Sequence, residues 1–243
     1  MNQLSKGSAA SGGSNNGTTA VGRRTFLRFA GLSSISALTL TTLACEDHKP
    51  IVYDPNFIDL GFGDVGIMNL SYAQEQLEVA FYSTVIESPA FNQLSAEEKA
   101  LFVDLRDRER THLELFRYLL GDKAIPMLTP NFDNIKIGSR EEILKTGHTF
   151  EDLGVAALNG AGRFVTDMEL LNLSGKIVSV EARHAALLRD LLHPRSNMPG
   201  SFAGDDIITP DTGLDRALYP QQVVVLAQPY IKERITAERI PVQ

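Results

Sequence analysis

Hydrophobic residues recur with helical spacing along most of the chain after residue 65. In the first such segment, one face carries Ile67, Leu70, Gln74, Leu77, Phe81 and Val85. Steps of three and four residues place these side chains on one side of an α-helix. Pro89 follows, and a proline cannot continue the hydrogen bonding of a helix. The pattern therefore predicts a first helix from about Val65 to the residues before Pro89.

Two serine motifs predict where the next two helices begin. Ser95 is followed three residues later by Glu98, and Ser139 is followed in the same way by Glu142. This is the spacing of a capping box, in which the serine and the acidic residue satisfy each other's backbone amides. The second helix is expected to end at Gly121.

The rest of the pattern predicts a long connection and two further helices. Residues 122–138 contain prolines, Asn and Gly, and are expected to cross between the second helix and a third that ends near Gly162. A fourth helix is predicted for about 166–193, and a short last helix for about 220–234. Since no stretch alternates with a period of two, the chain is predicted to be all-α.

The first 44 residues resemble an export signal. Residues 1–20 are rich in Ser, Gly, Asn and Thr and are expected to be disordered. Arg23 and Arg24 then precede a mostly apolar run to Ala44, which is the order of regions in a signal peptide. The adjacent arginines, followed by Phe-Leu-Arg, resemble the twin-arginine signal. The alternative is a buried hydrophobic helix that follows two arginines by chance.

The residues at the end of this segment are similar to a bacterial lipobox. Thr42 to Cys45 reads Thr-Leu-Ala-Cys, with Thr where Leu is usual. Lipidation of Cys45 is therefore the favoured prediction, and cleavage nearby is the alternative. The remaining chain is predicted to divide into a linker at 45–64, a helical bundle at 65–193 and a C-terminal extension at 194–243.

Composition and charge narrow the classes of function. The 243 residues are 43% hydrophobic and 22% charged, which suits a soluble domain, and the formal charge of −7 disfavours binding to nucleic acid. Cys45 is the single cysteine, so an intrachain disulfide and a cysteine-built metal site are excluded. Removal of residues 1–44 would reduce the basic residues from 23 to 19 and leave 30 acidic ones, a net charge of −11. Such a domain favours cations over polyanions as ligands.

Charged residues interrupt the apolar stripes where hydrophobic side chains are expected. On the second helix, Glu109 and His112 occupy the stripe between Leu105 and Phe116. The fourth helix repeats the Glu-x-x-His arrangement, and the first and third helices each carry one glutamate on the inward stripe. The complete set is Glu78, Glu109, His112, Glu151, Glu181 and His184.

The spacings of this set indicate a duplicated unit that binds metal. Glu78 precedes Glu109 by 31 residues and Glu151 precedes Glu181 by 30, compatible with one level in two helical hairpins. Burying unpaired carboxylates is costly, and no Lys or Arg shares these faces. Two divalent metal ions would balance the charge, and a His three residues after a Glu can bind the same ion. The alternative is that these are surface residues of helices with another phase.

The set resembles the ligands of the ferritin-like di-iron carboxylate superfamily. The segments 77–82, 150–156 and 180–185 resemble more narrowly the exported bacterial ferritin-like domain proteins, which include desiccation-related proteins. The resemblance implies a ferritin-like four-helix bundle with a long central crossover and a short C-terminal helix. It implies two iron ions as cofactors, with manganese as the alternative. The implied roles are terminal ligands for Glu78 and Glu151, bridging ligands for Glu109 and Glu181, and one histidine per ion for His112 and His184.

Three further residues are candidates for roles beside the ligands. Glu75 lies one turn before Glu78 and could replace it as a ligand, or else be solvated or support a ligand. Tyr82 could hydrogen-bond a ligand or relay an electron, or belong to the core. His148 could be a seventh ligand or a proton relay, or be a histidine with ordinary partners near a helix start.

Other positions concern the surroundings of the site. Asp152 and Asp190 could orient the ligand imidazoles. Leu158 stands where the resemblance implies an aromatic residue, so a tyrosine near the site is not expected on the third helix. We expect no catalytic residue beyond the metal ligands.

The resemblance implies an exported oxidoreductase that oxidises Fe(II) or consumes peroxide or dioxygen at the di-metal centre. A manganese-catalase-like reaction is a second hypothesis, and a non-catalytic metal-binding or stress- or desiccation-related envelope protein is a third. Whether the protein is an enzyme stays open. The expected partners are a small oxidant or metal substrate, the export machinery, a membrane only through a lipid anchor, and a second copy if the chain is a homo-oligomer. The expected location is the periplasm or cell envelope.

Overall fold

Four long helices dominate the structure, a computed structural model that describes residues 53–54, 57–193 and 203–241. The helices are α1 (Gly63–Glu87), α2 (Ala96–Leu120), α3 (Arg140–Gly162), α4 (Met168–Leu192) and the short α5 (Pro220–Ala227). Short 3-10 turns lie at Pro89–Gln93, Gly121–Lys123 and Gln228–Tyr230. The described strands are few and short, so the prediction of an all-α fold is confirmed.

The long helices form two hairpins. α1 packs along α2, α3 packs along α4, and α1 also contacts α3. The connection within the first hairpin is eight residues long, 88–95, whereas that within the second is five residues long, 163–167. The hairpins are joined by a crossover at 121–139, close to the predicted 122–138.

Hydrogen bonds at the helix starts explain where α2 and α3 begin. Ser95 Oγ accepts the Glu98 amide at 3.1 Å, and Glu98 Oε2 accepts the Ser95 amide at 2.9 Å, so this capping box is confirmed. Ser139 Oγ accepts the Glu142 amide at 3.3 Å. However, Glu142 Oε2 accepts the amide of Gly138, at 3.0 Å, so the second predicted box is only half formed.

The segments that flank the bundle form two small sheets. β1 (Tyr53–Asp54) pairs antiparallel with β2 (Phe57–Asp59), and β2 pairs in parallel with β5 (Arg234–Thr236). β3 (Ile208–Thr209) and β4 (Leu214–Asp215) pair antiparallel. The two ends of the described chain therefore meet in one sheet.

Two of the sequence-based boundaries differ from the structure. The described end of the predicted linker, 57–64, belongs to the fold, because it forms β2 and buries Ile58 and Leu60. The last helix ends at Ala227, well before the predicted 234. Pro229 has no amide hydrogen to continue the helical ladder, and the chain leaves through a 3-10 turn to β5.

The interior contains two apolar clusters with a charged layer between them. On α2, Leu113 belongs to one cluster and Leu105 to the other. On α4, Ile177 belongs to the cluster of Leu113, and Leu188 belongs to the cluster of Leu105. The buried carboxylates and histidines lie at the levels between these residues, so the bundle presents its charges in a closed, apolar setting.

The N-terminal predictions fall outside the described residues. This applies to the signal peptide at 1–44 and to lipidation of Cys45. Within the part that the structure describes, every helix is too short or too polar to cross a membrane.

Candidate metal centre

Two overlapping groups of ligand atoms lie at the centre of the bundle. One group consists of Glu75, Glu109, His112 and Glu181, and the other consists of Glu109, Glu151, Glu181 and His184. Within each group, one ligand atom per residue lies within 4.8 Å of all the others. The carboxylates of Glu109 and Glu181 belong to both groups, as expected of bridging ligands.

The two shared carboxylates each present one oxygen to each histidine. His112 Nδ1 lies 2.8 Å from Glu181 Oε1 and 3.1 Å from Glu109 Oε2. His184 Nδ1 lies 2.8 Å from Glu109 Oε1 and 3.7 Å from Glu181 Oε2. Each histidine also faces one further glutamate, with Glu75 Oε2 at 3.6 Å from His112 and Glu151 Oε2 at 3.4 Å from His184.

Most of the ligand atoms that face each other in these groups are buried and have no well-formed hydrogen bond. Among the described residues, eight buried side-chain atoms are unsatisfied, and all belong to the two groups. They are Glu75 Oε2, both oxygens of Glu109 and Glu181, Glu151 Oε2, and the Nδ1 atoms of His112 and His184. Because an unpaired buried polar atom is costly, such a concentration indicates a site built for cations. Four carboxylates and two neutral imidazoles fit two divalent ions in charge and in donor type.

Burial and mutual contacts shift the pKa values of the groups. Burial lowers the pKa of His112 and His184, but the close contacts with the surrounding carboxylates outweigh it and raise the pKa of each to about 12. Burial alone would raise the pKa of Glu181, yet its contacts with both histidines lower it to about 2. Burial raises the pKa of Glu75 and Glu151 well above the usual range. Protons therefore compete with cations for the same atoms.

Glu78 differs from the sequence-based prediction. It was expected to be the terminal ligand on the first helix, but it lies outside both groups, and Glu75 takes this position. Glu78 is 1% exposed, and its Oε1 accepts a hydrogen bond from Gln74 Nε2 at 3.0 Å. Burial raises the pKa of Glu78 well above the usual range.

Two residues of α1 support the site from the side. Tyr82 is completely buried, as a core residue is, and it donates its hydroxyl to Glu151 Oε1. This contact leaves Glu151 Oε2 to face His184. Gln74 Nε2 also donates to the carbonyl of Phe150 at 3.3 Å. The amide of Gln74 on the inward stripe of α1 is the sequence signal for such a supporting role.

The remaining candidates lie beside the site and not in it. His148 Nδ1 contacts Asp152 Oδ2 at 3.1 Å, and His148 belongs to neither group. Asp152 also binds Arg189 at 2.6 Å, and neither contact reaches a ligand imidazole. Asp190 is exposed. Leu158 lies in the apolar cluster, so α3 contributes no tyrosine at this level.

Comparison with known proteins agrees with this geometry. The family model described as the ferritin-like domain matches residues 63–194, more than half of the chain. No curated protein matches the sequence. The matched range runs from the start of α1 to just beyond α4 and includes every residue of the two ligand groups. The chain therefore belongs to the ferritin-like domain family.

Proposed function

We propose that this protein binds two iron or manganese ions between its hairpins and uses them to oxidise Fe(II) or to consume peroxide or dioxygen. The supporting observation is that Glu109 and Glu181 each present one oxygen to each of two histidine-containing groups. A carboxylate-rich site with one imidazole per ion favours iron or manganese over copper. When bound, such ions supply the electron transfer that this chemistry requires.

The side chains hold the site in place and limit access to it. Glu109 and Glu181 set the separation of the two positions, while Glu75 and Glu151 close the two ends. Tyr82 donates to Glu151 and so fixes one of its oxygens. The apolar clusters on either side exclude water, which strengthens every charge interaction inside. The side chain of His112 is 13% exposed, against 8% for His184, so we infer that small molecules enter beside His112.

We further propose that the protein is exported and anchored to a membrane through a lipid on Cys45. The support is the twin-arginine-like segment and the lipobox-like residues before Cys45. A route that carries folded proteins suits a site that receives its metal before export. Expression of Cys45→Ser beside the unchanged chain tests this, with membrane and soluble fractions compared. Loss of membrane association in the variant is expected, and equal partitioning would refute the anchor.

Metal analysis of the full-length protein tests the proposed centre. Protein matured through its own export route should contain two iron or manganese ions per chain by elemental mass spectrometry, as the two groups imply. Glu109→Gln combined with Glu181→Gln should lose both ions, because both groups share these residues. Glu114→Gln, an exposed glutamate on the same helix as Glu109, is the matched control and should retain both. A wild-type protein without metal, or a double variant with unchanged metal, would refute the centre.

Activity of the metal-loaded protein separates the proposed reactions. Two assays distinguish an iron oxidase from a catalase-like enzyme. Absorbance follows the oxidation of Fe(II), the loss of peroxide is measured by its ultraviolet absorbance, and an oxygen electrode detects oxygen released from peroxide. Release of oxygen from peroxide by the manganese form would assign the catalase-like reaction. A stable metal pair with neither activity would refute turnover and favour a non-catalytic metal-binding or stress-related role.

A further inference from the structure

Exposed hydrophobic side chains collect at one end of the bundle, where α1 and α4 begin and where α2 and α3 end. Two contacts join the elements of this end. Asp64 Oδ2, in the first turn of α1, accepts the amide of Asp167 at 2.9 Å, and Asn69 donates to the carbonyl of Lys123 at 3.0 Å. Five large hydrophobic side chains are exposed here, by 41–83%: Phe62, Tyr118, Leu119, Met168 and Tyr219. This surface is called the apolar end below.

All four helix termini at the apolar end contribute to it. Phe62 directly precedes α1, Tyr118 lies in the last turn of α2, and Met168 is the first residue of α4. Tyr219 lies beside Phe164, which follows α3, with the ring centroids 6.0 Å apart. The exposed hydrophobic side chains are therefore distributed around this end and are not confined to one helix.

The opposite end of the bundle is different. The connection 88–95 and the starts of α2 and α3 lie there, and Glu98 and Arg140 join them at 2.6 Å. Within the described part of the chain, this connection exposes no large hydrophobic side chain, and Asn92 and Gln93 are among its exposed residues. Single exposed hydrophobic residues are common on proteins, so the contrast between the two ends is the informative observation.

The N-terminal segment joins the fold at the apolar end. β2 precedes α1 by three residues, and the amide of Leu60 donates to the carbonyl of Thr236 at 3.0 Å. Cys45 precedes Tyr53 by eight residues, which span at most about 28 Å of chain. The 25 residues of α2 extend over about 37 Å. A lipid on Cys45 would therefore keep the apolar end nearer to the membrane than the opposite end.

The charges at the apolar end are balanced. In the segments 117–123 and 163–169, the exposed charged residues are three basic and three acidic ones: Arg117, Lys123, Arg163, Asp122, Asp167 and Glu169. This balance gives no preference for an anionic surface. The exposed tyrosines and phenylalanine, in contrast, are residue types that favour the interface between membrane and water.

We propose that the apolar end docks on the surface of a lipid bilayer, with its five hydrophobic side chains among the lipid head groups. The inference rests on the proposed lipid anchor at Cys45, which brings this end to the membrane. A single acyl chain binds reversibly, and a second contact is needed for stable attachment. Docking also orients the bundle. Glu109 lies eleven residues before the end of α2, so the metal layer stands roughly 16 Å from the lipid surface.

Tryptophan substitutions measure the docking directly, because the chain has no tryptophan of its own. Tyr118→Trp and Met168→Trp report on the apolar end, and Asn92→Trp, at the exposed opposite end, is the matched control. The metal-loaded proteins, matured through their own export route, are bound to phosphatidylcholine vesicles with brominated acyl chains. We expect quenching at positions 118 and 168 to be several-fold stronger than at position 92. Equal quenching at the three positions would overturn the proposal.

Removal of neighbouring hydrophobic side chains tests which surface is responsible. In the Tyr118→Trp protein, Phe62→Gln combined with Leu119→Gln should weaken the quenching several-fold. Leu214→Gln combined with Val225→Gln removes two exposed hydrophobic side chains of the C-terminal segment and is the matched control. The variants are compared at equal helix content by circular dichroism. Unchanged quenching after the first pair of substitutions would overturn the assignment to the apolar end.

A soluble quencher distinguishes a membrane from a second copy of the chain. In the absence of vesicles, the tryptophan at position 118 should be open to acrylamide. Shielding of this tryptophan without vesicles would show that another copy covers the apolar end, and would overturn docking on lipid.

Flotation of the vesicles separates docking from the lipid anchor. If the matured protein lacks a lipid and does not float, the anchor is refuted. The thiol of Cys45, the single cysteine, is then coupled to a lipid that carries a maleimide group, and the quenching is measured on the tethered protein. Stronger quenching at position 118 than at position 92 would support docking without the natural anchor. Equal quenching in a protein that floats would refute docking and leave the anchor intact.

Discussion

Glu78 lies against Gly154, and a Cβ at position 154 would be 3.0 Å from Glu78 Oε1. Glu78 and Gly154 are equivalent positions of the two hairpins, since each lies three residues after a terminal member of the metal-binding groups, Glu75 or Glu151. A fifth buried carboxyl fits beside the four others because its counterpart has no side chain. The bundle is therefore asymmetric around a symmetric set of ligands.

This arrangement predicts different outcomes for two neighbouring glutamates. Glu75→Gln should lose about one metal ion per chain, because it removes a charged ligand from one group only. Glu78→Gln should retain both ions, because Glu78 lies outside both groups and an amide at this position can still accept from Gln74. Elemental mass spectrometry of the two variants provides the measurement. The reverse result would make Glu78 the ligand, as the sequence alone suggested.

The hydroxyl of Tyr82 should contribute to stability through Glu151. Tyr82→Phe leaves Glu151 Oε1 buried without its donor, which is expected to lower the free energy of unfolding by about 1–3 kcal/mol. Tyr118 on α2 is 83% exposed, so Tyr118→Phe is the matched control and should change little. Urea unfolding of the metal-loaded variants measures both. An equal change in the two would show that Tyr82 contributes only through its ring.

Metal-free protein should lose stability as the pH rises. The pKa of His112 and of His184 is about 12 in the fold against 6.5 for the ordinary group, so their contribution is complete below pH 6.5 and is lost progressively as the pH rises from there toward about 12. The raised pKa values of Glu75 and Glu151 act in the same direction, because the folded state holds more protons. The pKa of Glu181 is lowered to about 2, so this group reduces the stability of the fold only when the pH falls below about 4.5.

Thermal unfolding with a chelator, at about pH 6 and about pH 9, tests this direction. The melting temperature should be lower at the higher pH. His112→Gln combined with His184→Gln should reduce the difference. Metal-loaded protein should show the opposite trend, because protons displace the cations on acidification. A metal-free protein that becomes more stable at the higher pH would contradict the assigned proton positions.

Two glycines in long helices should respond in opposite directions to alanine. A Cβ at Gly160 would lie 1.7 Å from the carbonyl oxygen of Leu218, so Gly160→Ala must push the backbone of Leu218 away from α3. We expect it to lower the free energy of unfolding by about 2 kcal/mol or more. Among the described residues, nothing beyond α4's own backbone and the two neighbouring residues lies within 4 Å of a Cβ at Gly175, and Gly175→Ala should stabilise α4 by about 0.5–1 kcal/mol. Urea unfolding compares them, and a tolerated Gly160→Ala would show that the close approach is not maintained.

Local patterns predicted the elements and most of the central residues. The serine motif at Ser95 was sufficient because a capping box involves only neighbours in the chain. The Glu-x-x-His motifs placed their residues inward because they replaced apolar residues on a helical stripe. Five of the six predicted ligands lie in the two groups for this reason.

The choice between Glu75 and Glu78 depended on the connections between helices. The spacings of 31 residues (Glu78 to Glu109) and 30 residues (Glu151 to Glu181) are equivalent only if the two hairpins have connections of equal length. The first hairpin, however, has a connection of eight residues and the second a connection of five. Because its connection is longer, two residues at the same level of the first hairpin must be about three residues further apart in the sequence than in the second hairpin. Glu75, which precedes Glu109 by 34 residues, therefore reaches the level that Glu78 was expected to occupy.

The sequence by itself determined the helices, their inward faces and the excess of buried carboxylates that predicts a cation site. These follow from periodicity and from the cost of burying charge, both of which can be read along the chain. Only the tertiary structure decided which glutamate meets His112, which tyrosine binds Glu151, and that Leu218 packs against α3. Those contacts join residues that are distant in the chain, and a shift of one helical turn, about 5 Å, is enough to exchange one ligand for another.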